Sequence, residues 1–322
     1  MTGAPVQVIS LGGTIAMVGE PARPALSGEE LAAAIPGLDT RALRVTSAAN
    51  LPGAHIGLAQ ALEFARLACR AATDGGVVVT LGTDTLEEMA FLCDLMWAGD
   101  NPLVFTGAMR PGSVAGADGP ANIVDAVAAA RSEEARGLGA VVVFAGEIHA
   151  ACDVRKDHST SPTPFDSPHL GPLGHVHEGR VHIAARPQRT PLVAPARFEA
   201  RVQIAMVALG DEGDQIRQAT AARVDGLVVA LLGAGHGSVA VLRAIEEALA
   251  HEIPTVLTCR PRTGLLLHET YGFPGAEGDM RATGAIPAAA LSPAAARIAL
   301  LACLGAGLDQ EQMRRTLAPF DL

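Results

Sequence analysis

Residues Val77 to Leu81 form a run of apolar and β-branched side chains with no polar alternation, which suits a strand buried on both faces of a parallel sheet. The run ends at Gly82, and Thr83, Asp84 and Thr85 lead into Leu86-Glu87-Glu88-Met89-Ala90-Phe91-Leu92. Apolar spacing and an acidic first turn predict a helix that starts on an Asp or Thr cap. Two hydroxyls and a carboxylate therefore fall where a strand hands over to a helix N-terminus, the edge at which open α/β sheets bind ligands. Capping alone would explain the same three residues. A second glycine turn of the same kind, Gly12-Gly13-Thr14, weighs toward a site.

The first half of the chain repeats this strand and helix rhythm. Val6 to Leu11 reads as a strand, and the glycines after it let the backbone turn sharply and bring amide N–H groups close to a ligand. Ser27-Gly28-Glu29-Glu30 is a capping sequence for a helix through Ile35, stopped by Pro36-Gly37. Leu43 to Thr46 predicts a strand and Ala59 to Ala72 a helix. Pro102 to Thr106 is the next strand, followed by Gly107-Ala108-Met109-Arg110-Pro111. Asp118 is expected to N-cap a helix over Ala121 to Arg131, with Pro120 where its missing N–H is harmless. Ala140 to Phe144 completes the set, and Lys156 is expected on the loop side. The fold class is α/β: a larger N-terminal three-layer domain with a mostly parallel sheet, plus a smaller C-terminal α/β domain.

From His158 to Phe198 the rhythm breaks. Gly174 to Ile183 alternates around Glu178-Gly179 as a β-hairpin does. His175, His177 and His182 lie along its strands with no Cys or carboxylate at ligand spacing, so no metal site is expected. Strands at Val202 to Val207, Gly226 to Ala230 and Pro254 to Leu257 then alternate with helices at Glu212 to Ala221 and Ser238 to Ala250. Gly233-Ala234-Gly235-His236-Gly237-Ser238 falls short of a dinucleotide fingerprint, because serine ends it and no acidic ribose partner follows. Tyr271 to Glu277 reads as a loop and Ser292 to Cys303 as a helix. The expected organisation is a catalytic domain over 1–186, a linker over 187–200 and a second domain over 201–322.

Composition narrows the class of function. A formal net charge of -10 argues against non-specific nucleic-acid binding and against an anionic membrane surface. No apolar run approaches the roughly 18 residues of a membrane span. A small-molecule partner is favoured, with no nucleic acid and no membrane. Cys69, Cys93, Cys152, Cys259 and Cys303 are odd in number, without CxxC spacing, and read as reduced thiols. Met1 leads almost directly into the first strand with no basic or long apolar leader, so a cytoplasmic location is expected. Of the 24 lysine plus arginine residues, Lys156 is the only lysine. Arginine keeps its proton in a protein and lysine can be tuned to release it, so the chain has a single amine side chain suited to proton transfer.

There is no GxxxxGK loop, HExxH or GxSxG elbow, and no cofactor is implied. Threonines on glycine turns remain as nucleophile candidates. A threonine hydroxyl needs a base to take its proton, and amide N–H groups beside it can stabilise an oxyanion. Thr14 has the glycine turn, whereas Thr83 has Asp84 and could draw on Lys156, so the residues alone leave the order open. The three groups Thr, Asp and Lys suit a compact substrate with a carbonyl and an ammonium.

LGGTIA at residues 11–16, TLGTDTLEEMA at 80–90, TGAMRP at 106–111 and DGPANIVDAV at 118–127 resemble the bacterial-type L-asparaginases, in order and over nearly the whole chain. The resemblance implies hydrolysis of L-asparagine to aspartate and ammonia, no cofactor, and a homotetramer of intimate dimers with active sites shared by paired subunits. It implies Thr14 as the nucleophile, Thr83 with Lys156 as a second pair, and Asp84 on the substrate ammonium. Gly13, Gly82 and Ala108 would line the substrate, and Glu277 would be the acidic residue given by the neighbouring subunit. His236 falls where the family often has asparagine. Two departures stand out. Met17 to Glu30 lacks the tyrosine that the family's mobile loop carries. Asn50-Leu51-Pro52-Gly53-Ala54-His55-Ile56 replaces the serine and glutamine that grip the substrate carboxylate, leaving Asn50 and His55 as candidates there. Alternatives are an amidohydrolase of another ω-amide such as glutamine, or a catalytically weak amino-acid sensor.

Overall fold

The computed structural model describes residues 5–19, 23–24, 26–35 and 38–321; the Pro36-Gly37 helix stop lies outside them. The chain divides into two compact units, Met1–Thr190 and Pro191–Leu322.

Among the described residues of the first unit, an eight-stranded sheet runs in the order Arg180–Ile183, Gly174–His177, Glu147–Ala150, Ala140–Phe144, Leu103–Thr106, Val77–Thr80, Val6–Gly12, Leu43–Leu51. The strands from Ala140–Phe144 to Leu43–Leu51 are mutually parallel, and the other three add in antiparallel fashion. Val6, Val8, Val78, Val104 and Val141 share one buried cluster with residues of helices Gly28–Ala33 and Gly119–Arg131. Their alternating neighbours Val77, Val79, Leu103 and Phe105 are equally buried, on the face that packs against Leu58–Ala72 and Leu86–Met96. Both faces are covered, which is why these strands read as unbroken apolar runs. Full burial of each Val, Leu or Phe contributes about 1.5–3 kcal/mol, enough across the sheet to fix where its edges and turns fall.

Local signals mostly decide the element ends. Ser27 accepts from the Glu30 amide while the Glu30 carboxylate accepts from the Ser27 amide, a complete capping box. The hairpin turns at Glu178 (φ 53°) and Gly179 (φ 71°), the left-handed pair that a two-residue hairpin needs. Two expected caps hold their positions but make no capping bond. Asp118 occupies the N-cap position but makes no side-chain cap bond. Thr85 is the N-cap of Leu86–Met96, again without a side-chain cap bond, and its hydroxyl donates instead to the Gly53 carbonyl at 3.3 Å.

The second unit holds a four-stranded sheet in the order Val202–Met206, Gly226–Leu231, Thr255–Cys259, Ile286–Pro287, parallel throughout. Helices Asp214–Ala221 and Val239–Ala250 share a core with one face. Pro293–Gly305 packs against the same strands through the alternate residues. The stretch read as a loop ends earlier than expected, because Glu277 opens a short helix, Glu277–Ala282. A further helix, Gln310–Leu317, starts on an Asp309 capping box. Among the described residues no helix is long and apolar enough to cross a membrane.

Candidate active site

In the first unit's parallel strands the chain starts in the middle, places its second strand on one side, and its third, fourth and fifth on the other. The crevice between the first and third strands is therefore the topological switch point, where ligands of open α/β sheets sit at the carboxyl ends. Ser10 pairs with Thr80 in register, so both strands end at one level and their turns face each other. Gly12 and Gly13 take φ of 98° and 83°, left-handed values that favour glycine. A Cβ on Gly13 would lie 2.2 Å from the Gly82 nitrogen, and one on Gly82 would lie 2.9 Å from the Gly53 nitrogen. The Gly13 amide donates to the Leu51 carbonyl at 3.0 Å. Three turns, one per strand, thus meet backbone to backbone, and Thr14, Thr83 and the Asn50 to His55 segment all issue from that meeting point.

Lys156 reaches this edge from a distant part of the chain. Its Nζ donates to Thr83 Oγ1 at 2.9 Å and to Asp84 Oδ1 at 2.7 Å. Thr83 is 5% exposed, and the side chains of Lys156 and Asp84 are 16% and 70% exposed. One end of the triad is buried and the other faces solvent. Lys156 lies on the loop side rather than on a helix face, as expected, and the structure adds a short strand there. Arg155–Lys156 forms a short strand antiparallel to Phe165–Asp166, held in place by an edge contact of the Phe165 ring on Phe144 at 5.1 Å. The Lys156 amide also donates a hydrogen bond to Glu87 Oε2. Burial pushes the Glu87 carboxyl above its ordinary value, against the opposing pull of that amide and of the Arg155 and Lys156 charges.

The loop after Leu103–Thr106 is braced by Asp118, expected only as a helix cap, and by Asn122. Asp118 accepts from the Met109 amide at 2.9 Å and the Arg110 amide at 2.9 Å. Buried Asn122 donates to the Gly107 carbonyl at 3.0 Å and accepts from the Ala145 amide at 3.0 Å. Ala108 is buried beneath this loop, where a Cβ on Gly119 would meet its methyl at 3.3 Å. A Cβ on Gly107 would lie 2.6 Å from the Leu81 carbonyl, so this fourth turn abuts the others.

Thr14 is half-buried on a turn of 3-10 helix, Thr14–Ala16, and its hydroxyl has no hydrogen-bond partner among the described residues. Asn50 and His55 are exposed, at the end of the Leu43–Leu51 strand and on the Gly53–His55 turn. Glu277 belongs to the second unit and is 1% exposed. It accepts from the Thr270 and Tyr271 amides at 2.6 and 2.8 Å and lies 3.1 Å from His236 Nε2. Burial would raise its carboxyl, but those amides and His236 outweigh it and hold the group below its ordinary value. Tyr271 and Phe273, both exposed, make T-shaped contacts with the His236 ring.

Among the described residues no group of three or more His, Cys, Asp or Glu is arranged to hold a metal ion. The His175 and His177 rings stack at 5.6 Å. All five cysteines are free, and burial pushes the Cys152 and Cys303 thiols up to about 12, so neither is a ready nucleophile.

Comparison with known proteins fits this geometry to a family. Residues 5–189 match the family described as "Asparaginase, N-terminal", and residues 201–317 match "Glutaminase/Asparaginase C-terminal domain". The chain belongs to the asparaginase family. It is 36% identical to a "Probable L-asparaginase" of Deinococcus radiodurans over 319 residues, covering 96% of this chain and 95% of that one. An "L-asparaginase" of Bacillus licheniformis is 33% identical over 288 residues, 87% and 89% of the two chains. A "Glutaminase-asparaginase" of Pseudomonas fluorescens is 30% identical over 332 residues, 97% and 89%. Within this asparaginase-family chain, Glu87, Asp118 and Asn122 are site supports that sequence reasoning missed. Their partners lie 69, 9 and 15 residues away, and only the acidic first turn after Thr85 hinted at Glu87.

Proposed function

We propose that this chain is an amidohydrolase that converts L-asparagine to L-aspartate and ammonia through a threonine acyl-enzyme. The observation that carries the reading is the Lys156 ammonium bridging Thr83 and Asp84 at the turn that abuts Gly13, the residue before Thr14, whose hydroxyl has no hydrogen-bond partner among the described residues. In this reading Thr14 Oγ1 attacks the side-chain carboxamide carbon. The Gly82 amide N–H, on the facing glycine turn, stabilises the oxyanion, and Gly13, whose own N–H is held by the Leu51 carbonyl, lines the substrate with its bare backbone. The C–N bond breaks, ammonia leaves with the proton given up by the hydroxyl, and water then attacks the ester to release aspartate and restore Thr14. Lys156 and Thr83 move protons during both halves. Asp84 receives the substrate ammonium with the carboxylate oxygen that Lys156 leaves free. Ala108 lines the substrate, and Asn50 and His55 face its carboxylate.

Ammonia release across asparagine, glutamine and simple amides tests the activity. The name of the Pseudomonas relative favours glutamine as the second substrate to assay. No turnover of any amide, alongside saturable aspartate binding, would instead make the protein a sensor. Trapping the acyl-enzyme and mapping the modified peptide tests the nucleophile, and a label on Thr83 would reverse the assignment to Thr14. The reading extends to a cytoplasmic homotetramer in which Glu277 completes a neighbour's site by exchanging the bonds it makes to Thr270, Tyr271 and His236 within its own unit. Mixed Thr14→Ala and Glu277→Ala subunits should then regain activity once they exchange, and failure to do so would remove the sharing.

A further inference from the structure

Glu87 is a half-buried carboxylate for which the amide hydrolysis above has no use, yet it touches the residue on which that reading depends. It lies in the first turn of Leu86–Met96, the helix whose approach carries Thr83 and Asp84. Its Oε2 accepts the Lys156 amide proton, while Thr83 and Asp84 accept from the same residue's Nζ. One helix start therefore holds Lys156 at both ends, by the peptide and by the ammonium. Elsewhere Lys156 has only a two-residue strand, whose pairing with Phe165 continues in the bond from the Asp157 amide to the Pro164 carbonyl at 2.7 Å. A ribbon this short fixes the direction of the strand poorly, since two-stranded pieces are marginal on their own.

We infer that Glu87 is a positioning residue that sets, through the Lys156 peptide, the height from which Nζ reaches Thr83 and Asp84. The inference rests on the proposed hydrolysis for its kinetic consequence and on the hydrogen bond for its structural one. A carboxylate accepting from an amide makes a stronger bond than a neutral acceptor, and the acceptor sits on a helix rather than on a loop. The lysine stem has four rotatable carbons. Without a fixed starting point its ammonium would sample positions away from Thr83.

The chain's single lysine makes the test direct. Protein labelled with [15N]lysine gives one backbone lysine resonance, the Lys156 amide. In the wild type that proton should lie far downfield, as a charge-assisted bond requires. Glu87→Met keeps the volume and removes the acceptor, so the resonance should move upfield. The kcat should fall by about 10-fold to 10²-fold, the scale of an approximately 1 Å misplacement of a catalytic group, while KM changes little. Glu87→Gln restores an acceptor and should recover most of kcat, with an intermediate resonance. A kcat of Glu87→Met close to wild type would overturn the positioning role. An unmoved resonance in Glu87→Gln would do so as well, and that comparison stands even if the methionine variant does not fold. Absence of turnover in the wild type would count against the hydrolase reading alone, since the resonance still reports the bond.

Discussion

Replacing Gly13 by alanine puts a methyl 2.2 Å from the Gly82 nitrogen, 2.5 Å from its Cα and 2.6 Å from the Leu81 carbonyl carbon. All three are backbone atoms of the turn that carries Thr83, so no flexible side chain can give way. Gly13 also sits at φ 83°, ψ -177°, a region in which a residue with a Cβ is strained by about 1–3 kcal/mol. Overpacking adds about 1–3 kcal/mol, which makes the expected loss about 2–6 kcal/mol. For a unit of this size each kcal/mol lowers Tm by about 2–4 °C, so thermal unfolding followed by circular dichroism should shift down by roughly 4 to 24 °C. In the fraction that stays folded, the two turns are wedged apart by about 1 Å, and kcat should drop by about 10²-fold. Gly112→Ala is the control, because nothing lies within 4 Å of its added methyl. Gly13→Ala with the Tm and kcat of that control would refute the idea that touching turns build the site.

Lys156→Arg keeps the charge but cannot release a proton, so it and Lys156→Met should lose similar activity, about 10²-fold to 10⁴-fold, with Tm little changed. Near-normal turnover by the arginine variant would make the role electrostatic. Thr80 is fully buried and its Oγ1 has no hydrogen-bond partner among the described residues, so Thr80→Val should stabilise the protein by about 1–2 kcal/mol in urea unfolding; a loss of stability would mean that the hydroxyl is satisfied in solution. Burial holds the His149 imidazole below its ordinary value despite the neighbouring Glu147. As pH falls from 7 toward 5 the unfolded chain therefore takes up this proton before the folded one, and stability declines. His149→Gln should flatten that limb relative to wild type, and parallel curves would show that other groups set it.

The sequence made the layers legible because burial on both faces leaves its own pattern. Val77 to Val79 and Val141 to Val143 lack alternation for the reason that helices cover both sides of them, and Glu178-Gly179 marks a hairpin because both residues must adopt left-handed backbone. Thr14 and Thr83 were legible for a similar local reason, since each follows glycine at a strand end. What could not be read was pairing across long separations. Asp118 has the composition of a helix cap, and nothing in its neighbourhood says that the Met109 and Arg110 amides will claim its carboxylate instead. Glu277 reads as a loop acid, and its burial on two backbone amides appears only once Thr270 and Tyr271 fold back over it. The Arg155–Lys156 strand was not read because two residues leave no periodicity to detect.

The choice of lysine at position 156 gains its meaning from this long-range assembly. Arg155 and Lys156 are neighbours in the same short strand, so successive side chains point to opposite sides, and only the second reaches Thr83 and Asp84. A guanidinium there would present a rigid planar fork to one hydroxyl and one carboxylate oxygen that are not its bidentate partners. A compact ammonium satisfies both, at 2.9 and 2.7 Å, with a third donor to spare. If rigidity and charge were all the site required, a chain whose other lysine-plus-arginine positions are all arginine would have no reason to depart from it here. The exception falls on the residue whose amine bridges a buried hydroxyl and an exposed carboxylate, which under the proposed hydrolysis is the place where a proton has to be moved.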